Sequence, residues 1–171
     1  MMNLRFALLG SGLIVRDYHL QALLKIPGVE VTAAANHRQE SLDVMASGSN
    51  IPKTTTRFED IAADPDVDAV VIGVANCMNA RLARMMLESG KHVLCEKPMA
   101  VTVSEAESMI EAADRAGRKL MIAHVWRSDA EMNWLRGNVL SGRLGQPCRA
   151  RIHGVSKNWG PEPGSWRADK A

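Results

Sequence analysis

Residues 4–15 read Leu4-Arg5-Phe6-Ala7-Leu8-Leu9-Gly10-Ser11-Gly12-Leu13-Ile14-Val15. An apolar run stops at two glycines one residue apart. A helix-spaced apolar pattern follows at once, through Leu13, Ile14, Tyr18, Leu20, Ala22, Leu23 and Leu24. This order predicts strand, tight turn, helix. Gly10 suits the sharp reversal, and Gly12 lets backbone come close to a ligand phosphate. The start of the helix, with Leu13 and Ile14, then offers N–H groups and a positive dipole end to a pyrophosphate. Val15 stands where G-x-G-x-x-G would place its third glycine. That position serves helix–strand packing, so its loss loosens the match while the phosphate cradle persists. Short glycine turns alone bind nothing in many proteins. Framed by a strand and a helix, this one reads as a dinucleotide site.

Outward from that unit, strand and helix signals alternate. The pattern predicts strands at 29–35, 53–56, 68–74, 92–95 and 119–124. Helices are expected at 39–47, 58–63, 79–89 and 129–140, and from a cap at Thr102 or Ser104 to Ala116. Ser104 with Glu107 has capping-box spacing. Asp68 to Val74 is apolar on both faces, as a central parallel strand must be. Met85, Met86 and Met121 are expected in the core, and so are Met132, Leu135, Val139 and Leu140 of the last helix. Alternation with short loops predicts an α/β fold, a Rossmann-type doubly wound parallel sheet. Past Gly145 the character changes. Cys148 to Val155 alternates apolar and charged residues, as in a strand with one wet face, and 159–166 reads as a loop. The expected division is a dinucleotide-binding domain over 1–124, then a linking helix and first strand, 125–171, as the truncated start of an α+β second domain.

Composition excludes several classes of function. The chain has 171 residues, 46% hydrophobic and 23% charged, with net charge +2. Nothing there argues for nucleic acid or an acidic membrane surface. Cys77, Cys95 and Cys148 are widely spaced, with no C-x-x-C and no zinc-like Cys/His pair, so no metal site is expected and the thiols fit a reducing cytosol. No apolar segment approaches about 20 residues, so no membrane span is expected. With no recognisable leader, a cytoplasmic protein is expected.

Two further stretches carry chemistry. Asn36-His37-Arg38 follows the second strand, where a cofactor's ribose would sit, and no acidic residue is there to favour NAD. Asn36 can bond a hydroxyl, and Arg38 can pair with a 2′-phosphate, which argues for NADP over NAD. The plain alternative is that Arg38 is an ordinary exposed residue at a helix start. Glu96-Lys97-Pro98 follows the strand 92–95, at a carboxyl strand end where ligands bind in such sheets. Lys97 there can hydrogen-bond a substrate oxygen and stabilise developing negative charge. Its plain alternative is a surface pair of neighbouring charges. The peptide bond before Pro98 is a candidate cis bond.

Gly10-Ser-Gly12, the stretch Asp64-Pro-Asp-Val-Asp-Ala-Val-Val71 and Ser89-Gly-Lys-His-Val-Leu-Cys-Glu-Lys-Pro-Met-Ala100, in this order, resemble the Gfo/Idh/MocA oxidoreductases. Arg143-Leu-Gly145 and Ser165-Trp-Arg167 are similar to the start of that family's second domain. The resemblance implies an NAD(P)-dependent enzyme that moves hydride between nicotinamide and a sugar, polyol or related alcohol. It implies that Lys97 is catalytic, with Glu96 its cofactor-side neighbour. Ala75 and Asn76 match the family's Thr-Pro-Asn loop, with Ala75 in place of proline, and Asn79 stands where histidine is usual. Arg127 matches an arginine that often reaches cofactor or substrate. His19 also has a family counterpart but is expected to pack, and His124 is expected to be structural. The expected cofactor-binding set is Gly10, Gly12, Leu13, Ile14, Asn36, His37, Arg38, Ala75, Asn76, Glu96, Lys97 and Arg127. Family members are longer and complete the site with a later Asp/His segment, so the chain as given is expected to be truncated, to bind NADP or NAD, and to lack turnover. A non-catalytic nucleotide-binding protein or sensor is the alternative. The expected partners are a small-molecule substrate and further copies of the chain.

Overall fold

The structure, a computed structural model, describes residues 3–153. The chain divides into two compact units, Met1–Ala123 and His124–Ala171.

In the first unit six strands form one sheet: β1 (Leu4–Leu9), β2 (Val29–Ala35), β3 (Lys53–Thr55), β4 (Ala69–Ile72), β5 (His92–Cys95) and β6 (Leu120–Ile122). Every pairing is parallel and the spatial order is β3-β2-β1-β4-β5-β6. The connecting helices are α1 (Leu20–Leu23), α2 (Gln39–Ser47), α3 (Phe58–Ala63), α4 (Asn76–Glu88) and α5 (Val103–Ala116). This is a Rossmann-type doubly wound sheet, as the alternation predicted. Successive residues of each strand point to opposite faces, which builds two cores. Leu9, Val70, Ile72 and Cys95 pack with Ile61, Leu82, Met86 and Met109 on one side. Leu8, Ala34 and Val71 pack with Val15, Leu20, Leu42 and Met45 on the other. All four residues of β4 are buried, as a central strand requires.

Several local expectations are corrected. The first helix is not regular: Ile14–His19 takes π-helical hydrogen bonding before α1 continues it. The helix expected from Asn79 begins at Asn76. The capping box of α5 is Thr102 with Glu105, not Ser104 with Glu107, because Thr102 keeps extended backbone and its hydroxyl accepts from the Glu105 N–H. Met86 is fully buried and Met85 packs beside it, but Met121 is 58% exposed. On edge strand β6, alternation sends Leu120 and Ile122 to the core and Met121 to the opposite face.

In the second unit a short 3-10 turn, Val125–Arg127, precedes helix α6 (Ala130–Leu140). Asp129 caps α6 by accepting from the Met132 N–H at 2.9 Å. The face expected to be inward is not buried: Leu135, Val139 and Leu140 are all exposed, and the buried residue is Asn138. Asn138 is accommodated because its Nδ2 donates to the Trp134 carbonyl at 2.8 Å. Residues 148–153 form no strand, contrary to the expectation for Cys148 to Val155. An alternating pattern makes a strand only where a neighbour completes the ladder. The rest of that segment, the 159–166 loop and Ser165-Trp-Arg167 lie outside the described residues.

Candidate functional site

The carboxyl ends of β1, β2, β4 and β5 meet along one edge of the first unit. The order of strands reverses between β1 and β4, and crevices in such sheets open at that point. Each strand end is pinned to its neighbour one residue further on. The Gly10 N–H donates to Ala35, Gly73 to Leu9 and Glu96 to Ile72, each at 2.8 Å.

Three glycines shape this edge in different ways. Gly10 has φ +98°, and a Cβ there would lie 2.2 Å from the Gly73 carbonyl oxygen. A Cβ on Gly12 would meet nothing within 4 Å, so the space above it is open for a ligand to approach the backbone. Gly73, at the end of β4, is the surprise. A Cβ there would stand 2.3 Å from Cγ2 of Val15, which is fully buried. The close helix–strand contact that a third glycine would allow is made instead with the small residue on the strand side.

At the end of β2, Asn36 is 9% exposed and its Nδ2 donates to the Ser11 hydroxyl. His37 and Arg38 are exposed, and Arg38 makes no ion pair among the described residues. After β4, Ala75 precedes the first turn of α4 and Asn76 begins it, both half-buried.

The Glu96-Lys97-Pro98 turn is held from two sides. Glu96 Oε1 lies 2.8 Å from His19 Nε2, and Glu96 Oε2 accepts from the Lys97 N–H at 3.2 Å. Asn79 Nδ2 donates to the carbonyls on either side of Lys97, to Glu96 at 3.3 Å and to Pro98 at 2.8 Å. The Lys97–Pro98 bond is cis. Lys97 itself is exposed, so its ammonium is available while its backbone is fixed. His19 is therefore not mere packing: it ties the glycine-turn helix to the lysine turn. Asn79 is 1% exposed, and among the described residues its Oδ1 is a buried acceptor without a partner. Sequence reasoning missed Ser11, Gly73 and these linking roles of His19 and Asn79. Their partners lie 17 to 77 positions away in the chain, and no local pattern announces them. Next to the turn, burial and then the Glu96 charge push the Cys95 thiol up to about 12, so it stays neutral.

Of the expected cofactor set, the structure brings together Gly10, Gly12, Leu13, Ile14, Asn36, His37, Arg38, Ala75, Asn76, Glu96 and Lys97 around the carboxyl edge of one sheet. Arg127 belongs to the second unit, in the turn Val125–Arg127, where its carbonyl accepts from Asn133 Nδ2 at 3.1 Å. His124 begins that unit and is exposed. Among the described residues no three His, Cys, Asp or Glu side chains cluster as metal ligands. No helix among them is long and apolar enough to cross a membrane.

Residues 4–124 match the sequence model of an oxidoreductase family with an NAD-binding Rossmann fold. The chain belongs to the Gfo/Idh/MocA family. It is 34% identical over 167 residues to a 1,5-anhydro-D-fructose reductase of Ensifer adhaerens, covering 97% of this chain and 49% of that protein. It is 32% identical over 162 residues to inositol 2-dehydrogenase of Salmonella typhimurium, covering 92% and 47%. Among solved structures it is similar to the WlbA dehydrogenase of Bordetella pertussis in complex with NADH and UDP-GlcNAcA, with TM-score 0.80, 25% identity, and coverage of 84% of this chain and 41% of that one. The chain thus spans about half the length of the curated relatives it matches.

Proposed function

We propose that this chain is the cofactor-binding half of an NAD(P)-dependent oxidoreductase that exchanges hydride with an alcohol carbon of a sugar or polyol. The observation that carries this reading is the fixed Glu96-Lys97-Pro98 turn, set on the same sheet edge as a glycine turn with open space above Gly12. The residues fit a dinucleotide: a backbone cradle at Gly10–Gly12, a polar side chain at the end of β2 and a cation beside it. Gly12, Leu13 and Ile14 would receive the pyrophosphate, Asn36, His37 and Arg38 the adenosine ribose, and Ala75, Asn76 and Glu96 the nicotinamide side. When bound, the nicotinamide supplies the hydride acceptor or donor. Lys97 donates a hydrogen bond to the substrate oxygen and offsets negative charge that grows there as hydride moves. Glu96 and Asn79 hold the turn from which Lys97 works. The reading assigns 1–124 to the dinucleotide and 125–171, with Arg127, to the opening of the substrate side.

Arg38 supports a preference for NADPH over NADH, since an arginine recognises a 2′-phosphate through paired donors. Assembly belongs to the same reading: Trp126 and Trp134 are 61% and 67% exposed, and a second copy would cover them. Sedimentation of the chain as a monomer at high concentration removes that part.

The test is fluorescence titration with NADPH and NADH, followed by turnover assays on inositols, aldoses and alditols. Saturable binding of at least one cofactor, with no turnover on the panel, is the expected result for this half. Absence of binding by either cofactor at millimolar concentration overturns the reading. Turnover that Lys97→Ala abolishes would overturn the expected inactivity and imply an acid–base group within this chain.

A further inference from the structure

We infer that Ser11, the residue between the two glycines, is a positioning residue for cofactor recognition: it holds the Asn36 amide so that its carbonyl oxygen faces the adenosine ribose and accepts from the 3′-hydroxyl. The inference rests on the dinucleotide reading and deepens it. The backbone around Asn36 is fixed before any ligand arrives, because the Gly10 N–H donates to Ala35 at 2.8 Å and the Asn36 N–H donates to Thr55 at 3.2 Å. The side chain is nearly buried, at 9% exposure, and its Nδ2 is taken by the Ser11 hydroxyl. An amide carries donors at one end and an acceptor at the other. With one of its two N–H groups anchored on Ser11 the amide is oriented, and its acceptor end stands open. No donor reaches Asn36 Oδ1 among the described residues, yet it is not sealed in, since the one sealed side-chain atom there without a partner is Asn79 Oδ1. An open acceptor at the end of β2 suits a hydroxyl and not a phosphate, because a hydroxyl donates and a phosphate only accepts. The 3′-hydroxyl is free in both NAD and NADP, which leaves the 2′ side to Arg38. Ser11 therefore links two tasks: the turn that receives the pyrophosphate also sets the group that reads the sugar.

The experiment is calorimetric titration of the full chain with NAD⁺ and 3′-deoxy-NAD⁺, repeated in Ser11→Ala and in Ser11→Thr, which keeps the hydroxyl. One neutral hydrogen bond is worth about threefold to tenfold in affinity. The unaltered chain is expected to bind the 3′-deoxy cofactor weaker by that factor. Ser11→Ala should shrink the penalty to less than about twofold, since the freed amide no longer presents a set acceptor, and Ser11→Thr should restore it. A general structural weakening would lower both affinities and leave their ratio alone. Equal affinities in the unaltered chain, or a penalty that survives Ser11→Ala, overturn the inference while leaving the dinucleotide reading in place. Failure of NAD⁺ itself to saturate the unaltered chain overturns both.

Discussion

The two ends of the sheet are built on opposite rules. At the amino ends of the strands charges are matched. Arg5 reaches Asp68 at 2.9 Å and Asp66 at 2.8 Å, Lys53 reaches Asp64 at 3.0 Å and Asp66 at 3.2 Å, and the buried Lys91 donates to the Asp64 carbonyl at 2.5 Å. Burial pushes the Lys91 ammonium pKa down, against the pull of Asp64 and Asp68. The hydrogen bond from Arg5 holds the Asp68 carboxyl at about 2, although its partial burial works the other way. At the carboxyl ends polar groups are held but left with spare capacity: Lys97 is exposed, and among the described residues Arg38 has no ion pair and Asn79 an unused acceptor. Matched charge closes one end and fixes the strands. Spare capacity at the other end is what a ligand can use.

Substitutions can break this contrast, and their effects on stability should fall in a definite order. Gly10→Ala is the largest, because a positive φ and a clash with the Gly73 backbone combine; urea unfolding should show a loss of about 3 kcal/mol or more. Stability within about 1 kcal/mol of the parent would show that the glycine turn yields easily. Asn79→Ala comes next. It leaves the Pro98 carbonyl without its Asn79 donor and the Glu96 carbonyl with only the weak Cys95 thiol, while removing one orphan acceptor, for a net cost of about 2 kcal/mol.

Asp68→Asn follows, at about 1 kcal/mol near neutrality once solvent screening is allowed for. A carboxyl depressed from its usual 3.8 to about 2 stabilises the fold fully above the higher value and loses that stabilisation as pH falls through the lower one. The difference in Tm between parent and Asp68→Asn should therefore be flat from neutrality to about pH 5, shrink below it and close only by about pH 1. A constant difference across that range would mean that the charge of Asp68 is not what matters. Gly12→Ala should move stability least, within about 0.5 kcal/mol, because its Cβ would enter open space. The same methyl group should weaken dinucleotide binding at least tenfold by filling the approach to the backbone, which titration reads directly. A variant that binds as the parent does would place the ligand elsewhere.

The sheet was legible in the sequence because its signals are local. The glycine turn, the doubly apolar run at β4 and the glycine stops at Gly90 and Gly117 each announce an element within a few residues. Met121 misled because an edge strand buries one face, and a single methionine does not say which. Residues 148–153 misled because an alternating pattern only permits a strand, and a neighbouring strand must complete the ladder. The site was legible in part. Lys97 and Asn36 carry recognisable chemistry at recognisable strand ends. Ser11, His19 and Asn79 act by holding those residues, and holding is a property of folded neighbours that no spacing rule encodes. Arg127 carried a role by resemblance, and its place in the second unit leaves that role a proposal.

The contact between Val15 and Gly73 has a consequence for how this chain can vary. The space between the first helix and β4 admits one side chain, and here the helix owns it. The two positions are therefore not independent letters. A methyl group on residue 73 should be harmful beside valine and harmless beside glycine, so Gly73→Ala alone should lose stability and Val15→Gly should rescue it. Related sequences are free to place the bulk on either side, but changing sides one residue at a time passes through a chain with both or with neither.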